Sequence, residues 1–284
     1  MITACSAQNL QQNIRFDKKI LGDFVTLGSL KITKYQKRIS RQDNSDFMAT
    51  VFIPQKKQRY AVVVFAHGFF HDPWRYNSLM KYIASWGYIV VAPHSHNGVW
   101  PNHKGYARDL GLCMEYVRKS QQKKDSIFFE RYNGKGAIIG HSMGGGAALL
   151  AAVDAKPRLV VTYAAAETTP SAKKATQKLT CPAVFVISNN DKVISNSDIH
   201  QMYDMSKHEA WKIGIRGAWH CGYEDVSYLG CDSGTLARQQ QIDIAKIITV
   251  VALKCYVDKV LTRQFLQKAF ATDFLEVKHK NNAP

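Results

Sequence analysis

Three residues far apart in the chain have the types and order for nucleophilic acyl transfer. Ser142 stands in Gly140-His141-Ser142-Met143-Gly144, a G-x-S-x-G pattern. Asp191 ends Ser188-Asn189-Asn190-Asp191, and His220 ends Gly217-Ala218-Trp219-His220. A serine hydroxyl is a weak nucleophile at neutral pH. It needs a base, a group that orients the base, and donors for the oxyanion that develops on the attacked carbonyl. The chain order serine, acid, histidine is the one that goes with a G-x-S-x-G turn, so His220 is the candidate base and Asp191 the candidate orienter. Glu167 is the rival acid, and an N-cap for the helix expected near Ser197 is the bland alternative for Asp191. The expected oxyanion donors are the backbone N–H groups of Met143 and Phe69; because both come from backbone, either side chain can vary without loss of the role.

Other residues with chemical potential are weaker candidates. His67 and His141 flank the site and are expected to shape its loops. His94, His96 and His103 form a loose cluster that is a minor metal candidate, and no metal or organic cofactor is expected. The six cysteines include no CxxC pair, and Cys221 and Cys231 flank the loop after His220, where a disulfide is one option.

These residues act together only if the chain carries them to one place. Lys135 to Ala148 reads KGAIIGHSMGGGAA, an apolar run, a glycine-rich turn and small helix formers, which is the strand–turn–helix context the serine requires. Ala61 to Ala66, Tyr88 to Ala92, Leu159 to Ala164, Ala183 to Ser188 and Trp211 to Ile215 are further apolar runs that read as buried strands, the last of them closing the sheet. Tyr76, Leu79, Met80 and Ile83 share one helical face, Leu110 to Val117 reads as a helix, and Ile244, Ile247, Ile248, Val251 and Cys255 mark another. Ahead of these, Phe24 to Leu27, Ser29 to Tyr35 and Phe47 to Ile53 read as antiparallel strands. Alternating strands and helices predict an α/β fold, a mostly parallel sheet flanked by helices, with the three loops on its carboxyl edge. Only residues 165–181 separate two strands where a cap is often inserted, so no large cap and an open site are expected. The domain reading is a loose arm over 1–20, a catalytic domain over 21–275 and a polar tail over 276–284.

Of the 284 residues 46% are hydrophobic, enough for a large core, and the formal net charge of +16 favours anionic surfaces, a lipid surface among them. The basic residues are spread along the chain without a zinc-finger, RRM or helix-turn-helix pattern, so nucleic acid is not an expected partner. Met1 to Ser6 reads MITACS, and Ile-Thr-Ala-Cys before Ser resembles a lipobox. Two readings stand: an accidental match, which leaves the cytoplasm open, or an exported protein, periplasmic, secreted or lipid-anchored at Cys5.

The residues around the serine, acid and histidine resemble the α/β-hydrolase superfamily, and within it the lidless cutinase-like lipases and polyester hydrolases, whose elbow is also Gly-His-Ser-Met-Gly-Gly. The similarity runs over about Phe47 to Phe270 and includes Ala84-Ser85-Trp86-Gly87-Tyr88-Ile89-Val90, Asn190-Asp191 and Gly217-Ala218-Trp219-His220. The segment His67 to Pro93 is also similar to plant chlorophyllases and dienelactone hydrolases. The resemblance implies Ser142, Asp191 and His220 as a triad and Phe69 and Met143 as the oxyanion hole, with Phe69 also an aromatic wall of the acyl site. Phe70, Trp74 and Trp219 are expected to add to the aromatic lining. Two features depart from the polyester hydrolases: Glu167 or a neighbour stands where they place a tryptophan, and their C-terminal cysteine pair is not evident. The function expected is a serine esterase or lipase acting on short to medium acyl or lipid esters. The alternatives are the same machinery on a lactone, thioester or acetylated phospholipid, and a basic binding protein without turnover.

Overall fold

The computed structural model describes residues 17–281. The Cys5 motif, residues 1–16 of the expected arm and residues 282–284 lie outside them.

The apolar runs become strands because alternate side chains of each enter one of two cores. In β3 (Tyr60–Ala66), Ala61, Val63 and Phe65 face one core, and Tyr60, Val62, Val64 and Ala66 the other. With β1 (Ile32–Ser40), β2 (Asp46–Pro54), β4 (Tyr88–His94), β5 (Tyr132–His141), β6 (Leu159–Tyr163), β7 (Ala183–Ser188), β8 (Ala210–Ile215) and β9 (Leu275–Lys280), it forms a nine-stranded sheet in the order β1-β2-β4-β3-β5-β6-β7-β8-β9. The six strands from β4 to β8 are parallel to one another, while β1, β2 and β9 run antiparallel to their neighbours. The first core packs under α2 (Asn77–Ser85), α7 (Arg238–Leu253) and α8 (Arg263–Ala269), the second under α3 (His103–Ser120), α4 (Met143–Ala155) and α6 (Asn196–Met205). This is the α/β-hydrolase fold. Between β6 and β7 stands only the short α5 (Ala172–Thr176). Among the described residues no helix is long and apolar enough to cross a membrane.

Four expectations need correction. Phe24 to Leu27 is not a strand, and a 3-10 turn occupies Gly22–Val25. The Phe24 ring sits 4.7 Å from that of Trp86 and 6.4 Å from that of Phe265, and its carbonyl accepts the Tyr82 hydroxyl, so no neighbouring strand is needed to satisfy it. The expected arm ends early, because α1 (Lys18–Leu21) buries Leu21 in the first core. The expected polar tail supplies β9, so Trp211 to Ile215 is not the last strand: Leu275 lies opposite Ile215 and Lys280 opposite Ala210, with the His279 ring stacked on Trp211 at 3.9 Å. Finally, α3 begins at His103 rather than near Leu110, because the Asn102 side chain accepts the Gly105 N–H and caps the helix there.

Candidate active site

Ser142 sits between β5 and α4 with φ 56° and ψ −125°, a conformation L residues rarely adopt, worth about 1–3 kcal/mol of strain. Close packing holds it. A Cβ on Gly140 would stand 2.2 Å from the Gly144 carbonyl oxygen, and one on Gly144 2.4 Å from the carbonyl oxygens of Ala66 and His67. Only glycine lets strand and helix approach this closely. The Ser142 N–H donates to Tyr163 O at 2.9 Å, and its carbonyl accepts the N–H groups of Gly145, Gly146 and Ala166. A backbone tied at both ends presents the side chain at the carboxyl edge of the sheet.

The three expected residues meet there. The Ser142 hydroxyl donates to His220 Nε2 at 2.8 Å, and His220 Nδ1–H donates to Asp191 Oδ2 at 2.7 Å, in the tautomer this chain of bonds requires. The Asp191 side chain is fully buried, and its Oδ1 accepts the N–H groups of Val193 and Ile194 at 2.8 and 3.0 Å. Its carboxylate is thus oriented from both sides. Glu167, the rival acid, accepts the Lys173 N–H through Oε2. The carboxylate beside His220 is therefore Asp191, and the capping alternative fails because Ser195 is the N-cap of α6.

The loop after β3 engages several of its amides with neighbours and leaves that of Phe69 without one among the described residues. The N–H groups of His67, Gly68 and His71 are spent on the Tyr106 hydroxyl, the Tyr76 hydroxyl and the Gly68 carbonyl, at 2.7, 3.2 and 3.2 Å. Among the described residues none engages the Phe69 N–H. Met143, as the first residue of α4, likewise has no acceptor within its own helix, and the positive end of the helix dipole lies there. These are the two N–H groups that the sequence names as candidate oxyanion donors.

The flanking histidines are structural in position. His141 Nε2–H donates to the His220 carbonyl at 3.0 Å, while its Nδ1 accepts the Tyr76 hydroxyl at 2.8 Å. Burial, then the nearby His220, hold His141 well below the ordinary histidine range. Burial also takes His67 down to about 4. Behind them burial, with Arg75 adding to it, lowers His71 to about 3, and burial raises Glu224 to about 8, outweighing the Arg75 guanidinium 3.4 Å from its carboxylate. His71, His141 and Glu224 bring one ligand-type atom each within 4.8 Å, and the His141 lone pair in that group is already used by Tyr76. The expected cluster of His94, His96 and His103 is dispersed onto Thr50, Asp109 and the Thr169 N–H.

Of the expected aromatic lining, Phe69, Phe70 and Trp74 are exposed by 45%, 62% and 46%, with the two phenylalanine rings 6.1 Å apart. Trp219 does not belong with them. Its ring is buried, its indole N–H donates to Leu236 O, and Arg238 lies 4.6 Å over its face, so it packs the loop beneath His220.

The sequence reading missed what holds that loop. Gln241 of α7 grips both backbone groups of Trp219, accepting its N–H at 3.0 Å and donating to its carbonyl at 2.7 Å. Asp232 accepts the N–H groups of His220 and Cys221 at 2.9 and 3.0 Å. Cys221 and Cys231 form the disulfide left open above. Only the cysteine pair was a signal in the sequence; a lone Asp232 or Gln241 carries none.

A chlorophyllase family profile matches residues 22–192, more than half of the chain. That span takes in Phe69, Ser142 and Asp191 and stops before His220. Chlorophyllase-1 of Arabidopsis thaliana is 33% identical over 95 residues, 33% of this chain and 29% of that protein, so the match spans under a third of that relative's length. The sheet order, the strained serine at the β5–α4 turn and the extent of the profile agree: this chain belongs to the chlorophyllase family.

Proposed function

We propose that the protein is a serine carboxylic-ester hydrolase. The observation that carries this reading is the unbroken chain Asp191–His220–Ser142, at 2.7 and 2.8 Å, beside the unengaged N–H groups of Phe69 and Met143. His220 Nε2 takes the Ser142 proton as Oγ attacks the ester carbonyl. The carbonyl electron pair moves onto oxygen, where the two N–H groups receive it, each such donor contributing roughly a hundredfold to a thousandfold in rate. Collapse returns the pair to the carbonyl and expels the alcohol, which leaves with the proton from His220. Water then repeats the sequence: His220 takes its proton, hydroxide attacks the acyl-enzyme, and the acid departs as Ser142 regains its hydrogen. Asp191 holds the imidazole in position and offsets its positive charge while it carries the extra proton.

The substrates are short to medium acyl esters or lipid esters, approached across the exposed rings of Phe69, Phe70 and Trp74. Chlorophyll, which the name of the relatives denotes, belongs in the substrate panel beside p-nitrophenyl butyrate and tributyrin. The positive net charge supports contact with an anionic lipid surface as a further part of this proposal. Export with lipidation at Cys5 is a separate proposal, resting on the lipobox-like motif alone. The intact mass of the native protein decides it, an unmodified Cys5 in an intact chain sinking the idea.

The test is fluorophosphonate labelling of wild type and Ser142→Ala, read by intact mass, with turnover of the panel measured in parallel. One adduct on wild type, none on the variant and turnover lost with the serine support the proposal. An unlabelled, well-folded wild type that turns over none of the panel would overturn it and leave a binding protein on a hydrolase scaffold. Turnover only of lactones, thioesters or acetylated phospholipid would keep the machinery and change the substrate class.

A further inference from the structure

We propose that Asp232 is a positioning residue for this reaction, a clamp whose carboxylate fixes the turn carrying His220 against the turn carrying Asp191. The proposal rests on the functional reading above for its kinetic consequence, though not for its geometry. Three backbone N–H groups converge on this one side chain. Oδ2 accepts from His220 at 2.9 Å and from Lys192 at 3.2 Å, and Oδ1 accepts from Cys221 at 3.0 Å. Lys192 directly follows Asp191, so a single anion holds the base and the residue beside its orienter. An ionised carboxylate is acceptor-only and can take all three bonds; an amide in its place turns a donor toward N–H groups that need acceptors.

Asp232 is also tethered there through its neighbour. Cys231 is bonded to Cys221, so the covalent link joins the residue before the clamp to the residue after the base. The segment between them has no regular strand or helix beyond the short turn His220–Tyr223, so its own backbone ladder does not place it. The remaining ties on the base are of a different kind. Gln241 holds the peptide of Trp219, His141 holds the His220 carbonyl, and Asn190 N–H donates to Ala218 O at 2.8 Å. Among the described residues the His220 N–H has Asp232 as its acceptor. Hydrolysis needs Nε2 within hydrogen-bond reach of Ser142 Oγ and Nδ1 within reach of Asp191 at once, and a misplacement of about 1 Å costs on the order of a hundredfold in rate.

The experiment compares wild type, Asp232→Asn and Asp232→Glu by p-nitrophenyl butyrate kinetics per fluorophosphonate-titrated serine, thermal unfolding, and amide hydrogen exchange. For Asp232→Asn, kcat falls about a hundredfold with KM within about twofold, because the loss is in transition-state alignment and not in uniform binding. Asp232→Glu keeps the acceptor charge and recovers about tenfold of that loss, as a conservative replacement of a supporting group does. Exchange at the Lys192, His220 and Cys221 amides accelerates in Asp232→Asn, while amides of α4 keep their protection. A kcat for Asp232→Asn within about twofold of wild type would overturn the proposal. So would a loss shared by kcat, KM and melting temperature with Asp232→Glu no better, which is the signature of a stability role alone. Should Asp232→Asn not fold, Asp232→Glu carries the test: reduced kcat at unchanged KM supports the clamp, and wild-type kinetics overturn it. Exchange needs no substrate. A wild type without esterase activity would end the functional reading, and exchange at the three amides would still decide the clamp.

Discussion

The proposed nucleophile and the proposed base of this site are positioned by opposite means. Ser142 is held by backbone: β5 runs into the turn, Gly140 and Gly144 let α4 close onto it, and both of its peptide groups are hydrogen-bonded. Apart from Ala66 and His67, Tyr163 and Ala166, everything that shapes it lies within a dozen residues of sequence. His220 is held by side chains from several segments, His141 from the elbow, Gln241 from α7, Asp232 just beyond the disulfide-closed loop, and Asp191 from the loop after β7. A backbone-built position is all-or-none, because a single Cβ meets atoms that cannot move. A position held by several side chains weakens by degrees, because the remaining ties persist when one is removed.

Gly144→Ala puts this contrast to its most severe test and has the largest expected effect. Its Cβ would stand 2.4 Å from two carbonyl oxygens, so the elbow must open. Esterase activity is lost altogether, and stability falls by about 3 kcal/mol or more in a denaturant titration. A stable, active Gly144→Ala enzyme would break the distinction between the two regions. Asp191→Asn comes next. The geometry survives but the imidazole loses its orienting anion, and kcat falls by about 10⁴. Glu167→Gln, whose carboxylate serves the α5 backbone, leaves kcat near wild type, and the reverse ranking would return Glu167 to the site.

Replacing both Cys221 and Cys231 with serine sharpens the comparison from the graded side. The closed loop is short, and its loss costs about 2–3 kcal/mol of stability. Because Asp232 and Gln241 still bind the turn, kcat per titrated serine falls by about tenfold or less. Steady-state kinetics on the oxidised enzyme, the reduced enzyme and the double variant measure this. The smallest effect concerns the buried pair His71 and Glu224. Glu224, raised to about 8, is protonated more readily folded than unfolded, so its contribution is fully present below its ordinary range near 4.5 and is lost as pH rises through about 8. His71 and His67, lowered to about 3 and 4, have the opposite sign: their contribution is present above about 6.5 and is lost as pH falls toward those values. Glu224→Gln therefore flattens the alkaline limb of melting temperature against pH between 5 and 9 and leaves the acid limb in place. An unchanged alkaline limb would show that Glu224 is ionised in the folded protein.

Where the chemistry depends on a short run of residues, the sequence was easy to read. Ala137 to Gly144 holds the strand, the turn and the reason for its glycines within a few positions, so the serine and its neighbouring N–H donor were visible. Asp191 and His220 are legible because each follows an apolar strand, which places it on the carboxyl edge. Trp219 leaves its expected place in the lining for a related reason. A strand end indicates an edge but not whether an indole points outward, and here Leu236, just before α7, and Arg238, its first residue, draw it inward. Residues 276–280 read as a tail because three of the five carry charge; the partners that make them a strand, Trp211 and Glu209, precede them by more than 60 positions.

By itself the sequence determined most of the elements and their faces, the strained serine turn, and the order in which Ser142, an acid and His220 follow one another, since all of these follow from periodicity, glycine placement and order along the chain. Tertiary structure alone decided which carboxylate reaches the base, which aromatic rings face solvent, that residues 275–280 complete the sheet, and that Tyr76, Tyr106, Gln241 and Asp232 hold the loops. Those outcomes depend on hydrogen-bond partners separated by tens of residues, and a donor and an acceptor leave no mark on the local sequence until the fold brings them within 3 Å of each other.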